Sequence, residues 1–178
     1  MRDAIRAAEH WRQELGARRN ALSREERARC DQLILDRLYH LPEWKKFAKI
    51  GSFVALGAEP DLAAITGKRI YLPRFDSNTG AYVMAEIRDK NQDLVRGRYG
   101  IPEPRPELPA ATAQELDEML FLVPAVGCDR RGVRLGRRVI GPQDGLKKDS
   151  RGLSRVAAGN PRFPRLLQGT IGNLPGCL

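Results

Sequence analysis

The chain has 178 residues, 42% apolar and 30% charged, which is the balance of a soluble globular protein long enough for one domain with a real core. No apolar run reaches the ~20 residues that a bilayer crossing needs, and the start, Met1-Arg2-Asp3-Ala4-Ile5-Arg6, has no apolar signal core, so the cytoplasm is the expected location. The formal charge of +9 invites a nucleic-acid reading, but residues 137–178, with eight basic and two acidic side chains, hold +6 of it; the mildly basic remainder suits an anionic small molecule better.

Residues 2 to about 20 read as a helix with Ile5, Ala8, Trp11 and Leu15 near one face. Ser23 and Glu26 form a Ser-x-x-Glu capping box that opens a second helix, whose Cys30, Leu33, Ile34, Leu38 and Tyr39 follow the helical period. Pro42 closes that helix or begins a short turn. Ile50 to Leu56 is an apolar strand that runs into Gly57-Ala58-Glu59-Pro60, and Asp61 to Ile65 is expected to start a short crossover helix. Gly67-Lys68 precedes a strand from Arg69 to Pro73, and Tyr82 to Ile87 alternates as another strand would. Tyr99-Gly100-Ile101-Pro102-Glu103-Pro104 reads as a rigid extended loop, because its prolines fix the backbone.

The stretch from Met119 to Gly136 carries the most chemical information. Its apolar run, Met119 to Val123, ends at Pro124 and gives way to a turn rich in Gly, Asp and Arg. A buried parallel strand looks this way when it delivers a loop to a ligand at its carboxyl end. Small residues there allow close backbone approach, and guanidinium groups suit a phosphate. Helices alternating with short apolar strands predict an α/β domain with a mainly parallel sheet. From Arg137 onward Gly, Pro and Arg dominate without periodicity, and such a segment is expected to stay loose.

Other residues point to packing rather than chemistry. His10 and His40 fall on helices with no partner at metal or triad spacing, and Trp11 and Trp44 read as core anchors. Cys30, Cys128 and Cys177 lie far apart; an odd count fits reduced thiols better than a disulfide framework, and a free cysteine usually behaves as a small buried apolar residue. No catalytic residue and no metal-ligand set of the chain's own is assigned.

Several separated pieces, in order, resemble the 5-formyltetrahydrofolate cyclo-ligase (methenyltetrahydrofolate synthetase) family. They are Arg12 on the first helix, Ser23-x-Glu25-Glu26-Arg27, the strand from Ile50 leading to Glu59, Gly67-Lys68 before Leu72-Pro73-Arg74, Tyr99 to Pro104, and Val123-Pro124-x-Val126-x-x-Asp129-x-x-Gly132-x-Arg134-Leu135-Gly136. The resemblance covers roughly residues 8 to 136. It implies a three-layer α/β domain related to sugar-phosphate isomerase and CoA-transferase-like folds. It also implies ATP-dependent closure of 5-formyltetrahydrofolate to 5,10-methenyltetrahydrofolate with Mg²⁺, in a monomer whose partners are the folate and ATP. Matched by position, the implied ATP contacts are Arg12, Arg134, Leu135 and Gly136, and the implied folate contacts are Val54, Glu59, Tyr99 and Arg137.

The chain departs from the family pattern at two places. Ala8 stands where the family usually has Lys. After Gly136 the family continues with a Gly-rich stretch and Gly-Tyr-Tyr-Asp, whose Asp helps hold Mg²⁺; this chain reads Arg137-Arg138-Val139-Ile140-Gly141-Pro142-Gln143. Bulky residues thus replace those that let backbone amides approach phosphate. The implied division is an incomplete cyclo-ligase domain over 1–136 and a divergent basic tail over 137–178, with activity expected to be impaired. A one-base slip of reading frame near codon 137 accounts for such a break, since a shifted frame of a freely chosen back-translation reads Gly-Gly-Leu-Leu-Asp-Arg. The alternative reading is a basic nucleic-acid-binding protein without enzymatic activity.

Overall fold

The computed structural model describes residues 2–128, 133–136 and 153–155. Two helices come first, α1 (Arg2–Ala21) and α2 (Arg24–His40). The capping box forms as expected: Ser23 Oγ accepts from the Glu26 N–H at 3.1 Å, and the Glu26 carboxylate accepts from the Ser23 N–H at 2.7 Å. These bonds satisfy two donors that a helix start would otherwise leave open. Pro42 does not merely stop α2; it takes the first position of a short third helix, α3 (Pro42–Lys46), where its missing N–H costs nothing. The ammonium of Lys68 donates to the carbonyls of Trp44 (2.8 Å) and Phe47 (2.6 Å) at the end of α3, and sits 5.1 Å from the centre of the Trp44 ring.

The chain then enters β1 (Lys49–Gly51), runs through a long connection to β2 (Arg69–Asp76), and turns back into β3 (Ala81–Ile87). A short helix α4 (Lys90–Asp93) leads into β4 (Leu94–Arg96) and, after a tight turn over Arg98–Gly100, into β5 (Pro102–Pro104). Helix α5 (Ala113–Asp117) feeds β6 (Met119–Phe121), followed by β7 (Gly127–Cys128), β8 (Val133–Leu135) and β9 (Leu153–Arg155).

The central sheet has the order β3-β2-β1-β6. β1 pairs in parallel with β2 on one side and β6 on the other; β3 is an antiparallel edge strand. The register sets Ile50 beside Ile70 and Leu120, and Gly51 beside Tyr71 and Phe121. Because side chains alternate across a strand, these rows belong to opposite faces. Ile50, Leu120 and Leu122 pack with Ile34, Leu35 and Leu38 of α2 and with Trp44 and Phe47. Tyr71, Met119 and Phe121 form a second cluster on the other face, against Met84, Ala111 and Leu116. A strand buried on both faces must be apolar at every position, and β6 is: Met119, Leu120 and Phe121 are all buried.

Several sequence expectations need correction. The strand expected over residues 50–56 is only three residues long, and residues 52–56 form no strand. Residues 61–65 form a turn and not a helix; the Asp61 carboxylate accepts from the Ala63 N–H at 2.8 Å, the local bond that favours turns over helices. Leu62 is nonetheless buried in the α2 cluster, which anchors the connection. Residues 102–104 are a strand, β5, paired antiparallel with β4. Trp44 is a core anchor as read, but Trp11 and Ile5 are exposed, at 51% and 41%. Among the described side chains of α1, Ala8 is the buried one. Cys128, expected to be buried, is exposed, and Cys30 is disulfide-bonded rather than reduced. Within the segment expected to stay loose, Leu153–Arg155 pairs as β9 with β8; the rest of residues 137–178 lies outside the described residues.

Candidate functional site

Two loops leave the carboxyl ends of neighbouring parallel strands, residues 52–60 after β1 and residues 122–126 after β6. From β1 the chain proceeds outward to β2, while β6 lies on the opposite side. In open α/β sheets the crevice at such a divergence is where ligands sit. The second loop continues into the antiparallel arrangement β7-β8-β9, and α1 lies against it.

Three side chains of α1 make that contact. Arg12 Nε donates to the Gly136 carbonyl at 3.0 Å. Leu15 rides directly over Gly127, where an added Cβ would fall 2.5 Å from the Leu15 methyl. Arg19 Nη2 donates to the carbonyls of Ala125 (2.8 Å) and Val126 (2.9 Å). Positions 8, 12, 15 and 19 share one helical face, so the contact face of α1 is Ala8-Arg12-Leu15-Arg19, rotated from the one the apolar spacing suggested. Arg12 is further held by Glu9, with Nη1 3.3 Å from Oε2.

The loop side is equally tight. Arg134 Nη1 donates to the Pro124 carbonyl at 2.6 Å, closing the loop from β6 onto β8. Burial draws the Arg134 guanidinium below its ordinary pKa, while the Cys128 sulfur opposes the shift. Gly136 is buried next to it, and a Cβ there would come within 3.1 Å of the same guanidinium, a tight approach that glycine avoids. Leu135 is buried. The four residues assigned to ATP by resemblance, Arg12, Arg134, Leu135 and Gly136, therefore meet at one place, although 121 or more positions of chain separate the first from the rest.

The folate-assigned residues are more dispersed. Val54 lines a cavity of about 110 Å³ at the carboxyl end of β1, together with Ser52, Asp61, Leu62, Leu72 and Lys90. The Lys90 ammonium donates to the Ala63 carbonyl at the same turn. Glu59 is half-buried and folds onto its own loop, its Oε2 accepting from the Leu56 N–H at 3.0 Å; it does not line this cavity. Tyr99 is 59% exposed, on the turn between β4 and β5 at φ 62°. Arg137 lies outside the described residues.

Two side chains near the site had no role in the sequence reading beyond their place in quoted motifs. β2 extends past the end of β1, so the strand edge facing β1 has lost its partner there. Glu103, buried on β5, takes over: its Oε2 accepts from the Phe75 N–H at 3.0 Å. Arg74 Nη1 donates to the carbonyls of Arg105 and Leu108, the latter at 2.9 Å. The two contacts fasten the β4-β5 hairpin and the chain that follows it beside the carboxyl half of β2. Arg19 was missed as well; the one available signal was its spacing of seven from Arg12 on the same helix.

Among the described residues no three His, Cys, Asp or Glu side chains converge as a metal cage, and no helix is long and apolar enough to cross a membrane.

The architecture is that of an α/β protein whose arginine-bearing loop stands at the carboxyl edge of a largely parallel sheet. Residues 4–138 match the 5-formyltetrahydrofolate cyclo-ligase family, and the chain belongs to it. A probable 5-formyltetrahydrofolate cyclo-ligase of Schizosaccharomyces pombe is 28% identical over 116 residues, which span 60% of this chain and 53% of the relative. The 5-formyltetrahydrofolate cyclo-ligase of Mycolicibacterium smegmatis is 36% identical over 95 residues, 48% of each chain. The chain thus spans about half the length of the curated relatives it matches. The NMR structure of the 5,10-methenyltetrahydrofolate synthetase of Aquifex aeolicus superposes with a TM-score of 0.62 at 28% identity, over 74% of this chain and 68% of that one. A synthetase from Mycoplasma pneumoniae shares the fold, with a TM-score of 0.50 at 19% identity over 72% and 70%. Neither neighbour is a sugar-phosphate isomerase or a CoA transferase, and that wider kinship stays an implication of the family.

Proposed function

We propose that this chain derives from an ATP-dependent enzyme that converts 5-formyltetrahydrofolate to 5,10-methenyltetrahydrofolate, and that its own turnover is low. The observation that carries the reading is the meeting of Arg12 with Gly136, just past β8, and of Arg134 with Pro124 in the loop after β6, at the carboxyl edge of the sheet. The chemistry asks for such a place. A formamide oxygen is a poor leaving group; transfer of the ATP γ-phosphoryl to it makes it a good one, and N10 of the folate then attacks the activated carbon. Positive charge around the phosphates stabilises that transfer, and close positioning of the folate does the rest. Arg12 and Arg134 supply the charge, and Gly136 lets the backbone come near. Val54, Glu59, Tyr99 and Arg137 are the folate side of the proposal.

Mg²⁺ would enter with the nucleotide, coordinated mainly by phosphate oxygens, since the described residues offer it no cage of their own. The glycine-rich continuation and its Asp are replaced in this chain by residues 137–143, which is the reason low turnover is expected. We read residues 1–136 as the incomplete cyclo-ligase domain and 137–178 as the divergent tail, with a cytoplasmic monomer as the working form. Mixing the protein with 5-formyltetrahydrofolate and Mg-ATP and following methenyltetrahydrofolate absorbance should show slow, ATP-dependent conversion. Product formation independent of ATP would count against the family activity, and full turnover against the damaged tail. The nucleic-acid alternative draws no support from the family or the neighbours.

A further inference from the structure

We propose that Arg19 is a positioning residue for the phosphate-facing loop, a role that rests on the nucleotide reading above. Its guanidinium grips two successive carbonyls, Ala125 at 2.8 Å and Val126 at 2.9 Å, where the chain has left β6 and is about to enter β7. The Val126 N–H in turn donates to the Leu135 carbonyl at 2.8 Å, next to Gly136 and Arg134. Two hydrogen bonds through Val126 therefore link Arg19 to Leu135, the chain neighbour of Arg134. Both bonds come from Nη2, whose two N–H groups are fixed in the guanidinium plane, whereas the donors of an ammonium rotate freely on a flexible stem. Two helical turns earlier, Arg12 grips the chain just past β8, at Gly136, and Leu15 fills the space between over Gly127. α1 thus acts as a splint along the loop: Arg12 at the ligand end, Leu15 in the middle and Arg19 at the root. Removing the root lets the loop swing while the sheet behind it stays intact, because Leu122 is separately held by its N–H to the Gly51 carbonyl at 2.8 Å.

The test compares Arg19→Met, Arg19→Lys and Arg12→Ala with the unmodified full chain, by amide hydrogen exchange and by calorimetric titration with Mg-ATP. Arg19→Met should raise exchange at Val126 about tenfold while Leu122 is unchanged, and weaken Mg-ATP binding about tenfold; Arg19→Lys should fall between. Equal acceleration at Val126 and Leu122, or none at Val126, overturns the splint. Weakened Mg-ATP binding in Arg12→Ala but not in Arg19→Met also overturns the role of Arg19 and leaves the nucleotide site standing. Failure of the unmodified chain and of every variant to bind Mg-ATP sinks the nucleotide reading itself, and with it the role assigned here.

Discussion

Gly51 lies between Tyr71 and Phe121 in the register of the three parallel strands, and this row has room for two aromatic rings only because the middle residue has no side chain. A Cβ on Gly51 would stand 2.5 and 2.7 Å from two carbons of the buried Phe121 ring. The ring is hemmed in and cannot step aside freely, so overpacking governs the cost. Gly51→Ala should destabilise the fold by about 1–3 kcal/mol, seen as a lower urea midpoint with an unchanged slope. Glu103 offers a complementary case. Glu103→Ala removes the acceptor that the half-buried Phe75 N–H uses and should cost about 1 kcal/mol, whereas Glu103→Gln, which keeps an acceptor oxygen, should recover most of it in the same titration. In the sequence Glu103 was one letter of a proline-rich motif; its carboxylate acquires a purpose only where β2 outruns β1.

Tyr71 and Glu115 join two elements, β2 and α5, across the second cluster. The Tyr71 hydroxyl donates to Glu115 Oε1 at 3.0 Å. Burial first, then this bond to Glu115, pushes Tyr71 from 10.0 up to about 12. Glu115 is held below its usual 4.5, first by the Thr112 N–H of the α5 capping box and then by the Tyr71 hydroxyl. The two groups set opposite limits. Because the folded pKa of Tyr71 is raised, its contribution is complete below pH 10 and is lost as pH rises toward about 12. Because the folded pKa of Glu115 is depressed, its contribution is complete above its unfolded value and is lost as pH falls through its folded one. The urea midpoint followed by circular dichroism should therefore fall on both sides of a neutral plateau. Tyr71→Phe should remove this alkaline fall and soften the acid one. The same scale explains β5: prolines are tolerated in a strand that pairs on one side only, so a segment read as a stiff extended loop could become a strand once β4 lay beside it.

Across the whole molecule, the family match ends at residue 138, two residues past Gly136, where the motif that carried the resemblance ends. Replacing residues 137–178 by the segment that follows the matched region in the Mycolicibacterium smegmatis relative should raise methenyltetrahydrofolate formation on the order of 100-fold, the size of effect that one preorganised donor to a developing charge can have. An unchanged rate would place the defect before Gly136. Sequencing the gene tests the proposed frame slip: an uninterrupted frame that encodes no glycine loop in either shifted register removes it. Local signals were enough for the helix start at Ser23, the buried run of β6, the existence of strand β3 and the family membership, because capping, strand patterning and motif order are each written in neighbouring residues. They were not enough for the face of α1 or the fate of residues 61–65. Apolar spacing placed Trp11 inward, yet the surface opposite α1 is a row of backbone carbonyls, which calls for Arg12 and Arg19 rather than rings. That pairing depends on where a loop more than a hundred residues away comes to rest, and no window of sequence contains it. The residue types were set by the chain alone; which of them face one another was decided by the sheet that gathers β1, β2 and β6, since hydrogen bonds and packing act through space and not along the chain.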